Sequence, residues 1–141
     1  MSTLPRTPNE LIRHLARSTT AEELTEFLWL LSNRRRRLVV VSVYLVGPDE
    51  TIDLHTLAGR IASVETDKEP ATITRAERRT VYTNLVQNHL EPLADARIIG
   101  YDPQSKHVRR GPATPAAGIM LAAAVVVLQF LAPYERDDTA S

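Results

Sequence analysis

The sequence predicts a mainly helical fold with one small β-hairpin, in the outline of a winged helix-turn-helix, followed by a C-terminal hydrophobic helix. Three observations carry this prediction. Thr74 stands three residues before Glu77, the spacing of a capping box that opens a helix. That helix runs almost directly into Ile98-Ile99, a short strand-like stretch, and Asp102-Pro103-Gln104-Ser105 turns the chain into a second, basic strand, Lys106 to Arg110. Finally, Gly111 to Tyr134 is 24 residues without a charge.

At 141 residues the chain accommodates one domain and an appended element, and 43% hydrophobic residues suffice for a packed core. We expect an N-terminal arm or short helix over 1–20, the winged-helix domain over 21–110, and the hydrophobic helix with an acidic tail over 111–141. No cysteine is present, which excludes disulfides, thiol catalysis and thiolate metal sites. The 17 basic and 17 acidic residues cancel, but one base and three acids lie in the last seven residues, leaving 16 and 14 before them. That excess is mild for a nucleic-acid binder. The first ten residues lack the apolar core of a signal peptide.

Asn9 is placed to cap a short helix, Glu10 to Arg17, with Leu11, Ile12 and Leu15 on one side. Thr20 with Glu23 makes another capping box, opening a helix to Leu31 whose core face would be Leu24, Phe27, Leu28 and Leu31, with Trp29 elsewhere. Ser32 or Asn33 caps a third helix, Arg34 to Val46. Its β-branched run also suits a strand. Four arginines at a helix start oppose the positive end of the dipole, so either acidic neighbours such as Glu22, Glu23 and Glu26 or an external polyanion must compensate. After the turn Gly47-Pro48-Asp49-Glu50, a short strand Thr51-Ile52-Asp53 leads into a helix capped by Asp53 and carrying Leu54, Leu57, Ala58 and Ile61. The nine-residue loop Glu65–Ile73 is long for the turn of a strict helix-turn-helix.

On the helix after Thr74, roughly 100° per residue puts Val81, Tyr82, Leu85, Val86, His89, Leu90 and Leu93 on one half. Thr80, Thr83, Asn84, Gln87 and Glu91 fall on the other. The four uncharged members of that stripe offer the groups that base-edge reading needs, although they also fit a solvated face. Arg75 and Arg79 are placed for phosphates, whereas Glu77 and Glu91 would repel them. His89 reads as a core histidine. In the hairpin Val108 faces the core, leaving Lys106, His107, Arg109 and Arg110 for phosphates or the minor groove. The candidate DNA-contacting set is therefore Arg75, Arg79, Thr80, Thr83, Asn84, Gln87, Lys106, His107 and Arg109.

Ala116 to Tyr134 would measure about 28 Å as a helix, close to the ~30 Å hydrocarbon core of a bilayer. Lys106, Arg109 and Arg110 precede it and an acidic tail follows, which would keep the N-terminal domain on the cytoplasmic side. Pro133 is expected to end the helix. Gly118 and Ala122 have small-xxx-small spacing. A transmembrane anchor is the favoured expectation for residues 116–134, and a buried dimerisation helix is the alternative. No phosphate-binding glycine loop, zinc-protease motif or nucleophile elbow is present, and His14, His55, His89 and His107 are scattered singly. We therefore expect no enzyme activity, no cofactor and no metal.

Leu31-Ser32-Asn33 with Arg34–Arg37, the Asp53-Leu54-x-x-Leu57-Ala58-x-x-Ile61-Ala62 helix, and Arg79-x-Val81-Tyr82-x-x-Leu85 continuing to His89-Leu90-x-x-Leu93 together resemble a family of winged-helix domains common in halophilic archaea. Asn88-His89-Leu90-x-x-Leu93-x-x-Ala96-x-Ile98-Ile99 also looks like the end of the recognition helix in small winged-helix repressors. The resemblance covers about Ala21 to Arg109. It implies transcriptional regulation, double-stranded DNA as partner and a homodimer. The chain lacks the acidic excess usual in halophilic cytosolic proteins. A winged-helix module that associates with proteins at the membrane, without DNA, is the alternative expectation.

Overall fold

The computed structural model describes residues 6–18 and 21–139, with side chains over 6–13 and 22–131. The elements follow one another as α1 (Pro8–Ser18), α2 (Ala21–Leu31), α3 (Arg34–Leu45), β1 (Thr51–Asp53), α4 (Leu54–Thr66), a 3₁₀ turn (Pro70–Thr72), α5 (Arg75–Asn84), a π turn (Leu85–His89), α6 (Leu90–Asp95), β2 (Ile99–Asp102), β3 (His107–Arg110) and α7 (Thr114–Thr139). The fold is mainly helical, with one small antiparallel sheet in the order β1-β3-β2 and a long apolar helix at the end. The expected hairpin is present. Thr51–Asp53 adds a third strand on the outer side of β3, in the register Thr51↔Arg109, Ile52↔Val108, Asp53↔His107.

The core is built from every layer. Val39, Val40 and Val43 of α3, Leu54, Leu57 and Ile61 of α4, and Leu85, Leu90 and Leu93 of the π turn and α6 close over Ile98, Ile99 and Val108 of the β2–β3 region. Each such side chain fully removed from water contributes about 1.5–3 kcal/mol. The valine-rich run after Arg37 is helical because α3 buries one side of it, while Val41 and Leu45 reach solvent. Asn33 caps α3, its Oδ1 accepting from the Arg36 backbone N–H (3.2 Å), and Asp53 caps α4 by accepting from Thr56 (2.9 Å). α4 runs into the expected loop as far as Thr66 and ends on Asp67 in the left-handed region, a conformation that short polar side chains tolerate. The 3₁₀ turn shortens what is left of the loop.

Several expectations give way. The cap of α1 is Thr7, not Asn9: Thr7 Oγ1 accepts from Glu10 N–H (3.1 Å), and the Glu10 carboxylate accepts from Thr7 N–H in return. Leu11 and Ile12 are exposed. Leu15 and Thr20 lie outside the described side chains and residues. On α2, Leu30 and Leu31 enter the core, Phe27 packs partly against it, and Leu24 and Leu28 are about half exposed. The buried face is therefore turned from the predicted one, because α2 meets the domain chiefly through its last turn. Pro133 does not end α7, which continues to Thr139. A proline removes one backbone donor and kinks a helix more readily than it stops one.

The first turns of α7 belong to the domain's packing. Ala113 N–H donates to Arg97 O (2.9 Å), Thr114 Oγ1 donates to Ile98 O, and Ala117 is fully buried. Gly118 abuts the Tyr44 ring, where an added Cβ would lie 2.5 Å from Cδ2. The small residue expected to serve a partner helix is thus occupied within the same chain.

Candidate nucleic-acid interface

α5 begins at Thr74, whose Oγ1 accepts from Glu77 N–H (3.1 Å). The reciprocal half of the predicted box is replaced. The Glu77 carboxylate accepts instead from Thr74 Oγ1 (3.0 Å) and from Lys68 Nζ (2.9 Å). Lys68 and the Thr74 hydroxyl hold this carboxyl below its usual range. The negative charge counted against phosphate binding is therefore countered by a lysine from the preceding loop. Glu91 stays exposed at the far end.

The helical wheel is reproduced. Val81, Leu85, His89, Leu90 and Leu93 are buried, with Tyr82 and Val86 partly so. Arg79, Thr80, Thr83, Asn84 and Gln87 line one shallow groove on the outer face, with Ala76. Arg75 and Arg79 also border a second, neighbouring concavity with His55, Arg78 and Tyr82. Among the described residues, neither Arg75 nor Arg79 makes a hydrogen bond or ion pair, so both guanidinium groups are available.

Two members of the stripe are engaged. Thr80 Oγ1 donates to the Ala76 carbonyl one turn back (2.9 Å), and Asn84 is held from α3. Its Oδ1 accepts from Arg35 Nη1 (2.7 Å), while Arg35 Nε and Nη2 grip the Glu65 carboxylate at 2.7 and 2.9 Å. The Glu65 hydrogen bond raises the Arg35 pKa. An acidic neighbour does meet the arginine run, and the one that grips Arg35 is Glu65 of α4, which the sequence expectation did not name. Arg36 is buried. Its Nε donates to His89 Nδ1 (3.1 Å), Nη2 donates to Asn88 O (3.3 Å), and its guanidinium lies 4.7 Å from the centre of the Trp29 ring. Burial first, then the neighbouring Arg36 and Arg35, push the His89 pKa down, so the ring is a neutral acceptor at Nδ1. Arg37 donates to the carbonyls of Leu31 and Ser32 at the end of α2. The core histidine was legible in the sequence, whereas its arginine partner was not.

The hairpin residues sit apart from the groove. Lys106 leaves the turn with φ 60°, its carbonyl accepting from Leu54 N–H (2.9 Å). His107 stands opposite Asp53 on one side and Asp102 on the other. Both carboxyls have lowered pKa values, Asp53 chiefly through Thr56 and Asp102 chiefly through Ser105. Arg109 is exposed and lies across Gly100. Arg110, expected to be free, is turned inward. Strand alternation puts it on the same face as Val108, where it stacks on Tyr44 at 5.0 Å and donates to the Tyr44 carbonyl.

Two residues outside the predicted set connect hairpin and groove. His55, two residues beyond the Asp53–His107 pair, accepts at Nε2 from Arg78 Nη1 (2.7 Å), and Arg78 lies over Gly59 of α4. His55 and Arg78 thus share one concavity with Arg75 and Arg79. The contact joins residues 23 apart, and no spacing rule marks it. Among the described residues, no cluster of three metal-ligating side chains occurs.

The chain belongs to the family described as a domain of unknown function, DUF7344, which matches residues 28–109. Those bounds include α3 through most of β3 and leave α1 and α7 outside. No curated protein and no solved structure matches the chain.

Proposed function

We propose that this protein is a DNA-binding transcriptional regulator of winged-helix type, with α4 and α5 as its helix-turn-helix and β2–β3 as its wing. The observation that carries the reading is the outer face of α5 and the π turn: hydroxyl and amide side chains without charge, opened by two arginines that have no partner among the described residues. Thr83 and Gln87 present donors and acceptors suited to base edges, Thr80 keeps an acceptor while its hydroxyl donates to the Ala76 carbonyl, and the Arg35 contact holds Asn84 beside them. Arg75, Arg79, Lys106 and Arg109 would meet phosphates, as would His107 once protonated. The order of helix, strand, two helices and hairpin, with the early strand on the hairpin's second strand, supports the same reading.

The test is a low-salt DNA-shift assay with the full chain, because stopping at residue 110 would remove Thr114 and Ala117 from the core. We expect retention that weakens steeply with salt. A Thr83→Ala, Gln87→Ala double variant should keep the fold and lose sequence preference. Unchanged preference would end the assignment of α5 as the reader. A second reading, association with protein partners and no DNA role, is favoured by the exposed Leu24, Leu28 and Trp29 of α2. It predicts no retention on DNA at any salt.

A further inference from the structure

We infer that the domain is docked rigidly on a lipid bilayer: α7 crosses the membrane, and the last turn of α3, at Tyr44 and Leu45, lies in the interfacial layer. This goes beyond the DNA reading and stands independently of it. The first ground is the all-round character of α7. Val125, Val126, Val127 and Leu128 are four successive apolar residues, each at least half exposed. At roughly 100° per residue they cover the whole circumference of the helix. Phe130, at 80% exposure, and Leu131 continue the pattern. A second copy packed along one side would cover one stripe and leave the rest in water, whereas hydrocarbon covers every side.

Length and setting agree. Thr114–Leu131 has a mean hydropathy of 2.0, and only 17% of it is buried by the domain, unlike the core helix of a soluble fold. Beyond Gly118, Ile119 to Tyr134 is 16 residues, about 24 Å as a helix, and the shortfall against a ~30 Å hydrocarbon layer is met by local thinning and by snorkelling of the flanking residues. The charges Glu135, Arg136, Asp137 and Asp138 follow at once.

The second ground is the junction, which holds no flexible linker. Only Gly111, Pro112 and Ala113 separate β3 from α7, and the hydrogen bonds of Ala113 and Thr114 fix the helix to Arg97 and Ile98. Gly118 then seats α7 against the Tyr44 ring, which Arg110 covers from another side. A helix fixed in this way carries the domain's end to the membrane with it. Leu45, one residue from that contact, is 74% exposed, and Val41 is also exposed on the preceding turn. An aromatic ring beside an arginine and an exposed leucine suits the interfacial layer.

The absence of cysteine makes single-cysteine probes direct. Leu45→Cys, Val126→Cys and Thr83→Cys, each labelled with a small fluorophore, are reconstituted as full chains into vesicles of phosphatidylcholine with phosphatidylglycerol. Nitroxide lipids then quench at shallow or deep positions. Expected are loss of Val126→Cys emission with the deep nitroxide, loss of Leu45→Cys emission with the shallow one, and no loss for Thr83→Cys. A full chain recovered as a soluble dimer, or a Val126→Cys probe untouched by the deep nitroxide, overturns the span. Quenching at Val126→Cys with none at Leu45→Cys overturns the docking.

Discussion

Two groups of arginines begin two helices of this protein and meet opposite fates. The run at the start of α3 reads as a phosphate site, yet Arg35, Arg36 and Arg37 are consumed internally by Glu65 and Asn84, by His89 and Asn88, and by the carbonyls closing α2. Arg75 and Arg79, less conspicuous in the chain, have no partner among the described residues on the exposed face of α5. The difference arises from surroundings. Arg35, Arg36 and Arg37 lie where α2, α4 and the π turn enclose the start of α3, so their charges require partners. Arg34, by contrast, is exposed, and the outer face of α5 is covered by no described residue. Density of charge along a sequence therefore says little about which cations are free to bind.

The largest expected effect comes from the buried member. Arg36→Ala leaves the Asn88 carbonyl and His89 Nδ1 unpaired and strips Trp29 of its cation, so unfolding in urea should register a loss of about 2–3 kcal/mol. A change within error would show that the run is not a packing device. Arg75→Ala with Arg79→Ala should do the reverse. Stability should move by no more than about 0.5 kcal/mol, while the log–log salt slope of DNA binding drops by about 2, one for each phosphate contact. An unchanged slope, measured by fluorescence anisotropy across a salt series, would remove both from the interface.

Arg35→Ala lies between the two. The partly exposed pair with Glu65 contributes about 1 kcal/mol at most, and the variant releases Asn84. Thermal melts should fall slightly, and sequence preference should broaden if the held amide matters to reading. The smallest effect is a pH dependence. His89 has its pKa lowered from the ordinary 6.5, so below that pH the unfolded chain takes up a proton that the folded one refuses. Its contribution is therefore intact above 6.5 and is lost as pH falls through and below it. Asp53 and Asp102, also lowered, lose theirs only in the carboxylate range near pH ~4. His89→Gln, which keeps an acceptor for Arg36, should flatten the mildly acidic limb of the stability curve. A limb of unchanged slope would mean that His89 does not carry it.

Periodicity and capping chemistry determined much of this protein without tertiary information. The polar stripe of α5, the core position of His89, the caps at Asn33, Asp53 and Thr74, the hairpin turn at Asp102 and the apolar length of α7 are all local properties, set within a few residues of chain. Only the tertiary structure decided which polar groups are taken. Arg35 finds Glu65 thirty residues away, Arg36 finds His89 across 53, His55 finds Arg78 across 23, and Arg110 turns to Tyr44 across 66. It also tied the start of α7 into the core through Thr114, Ala117 and Gly118. The physical reason is one of range. Helix caps and apolar faces are fixed by neighbours three or four residues apart, whereas the partner of a long charged side chain is whatever the packed elements bring within about 3 Å of it.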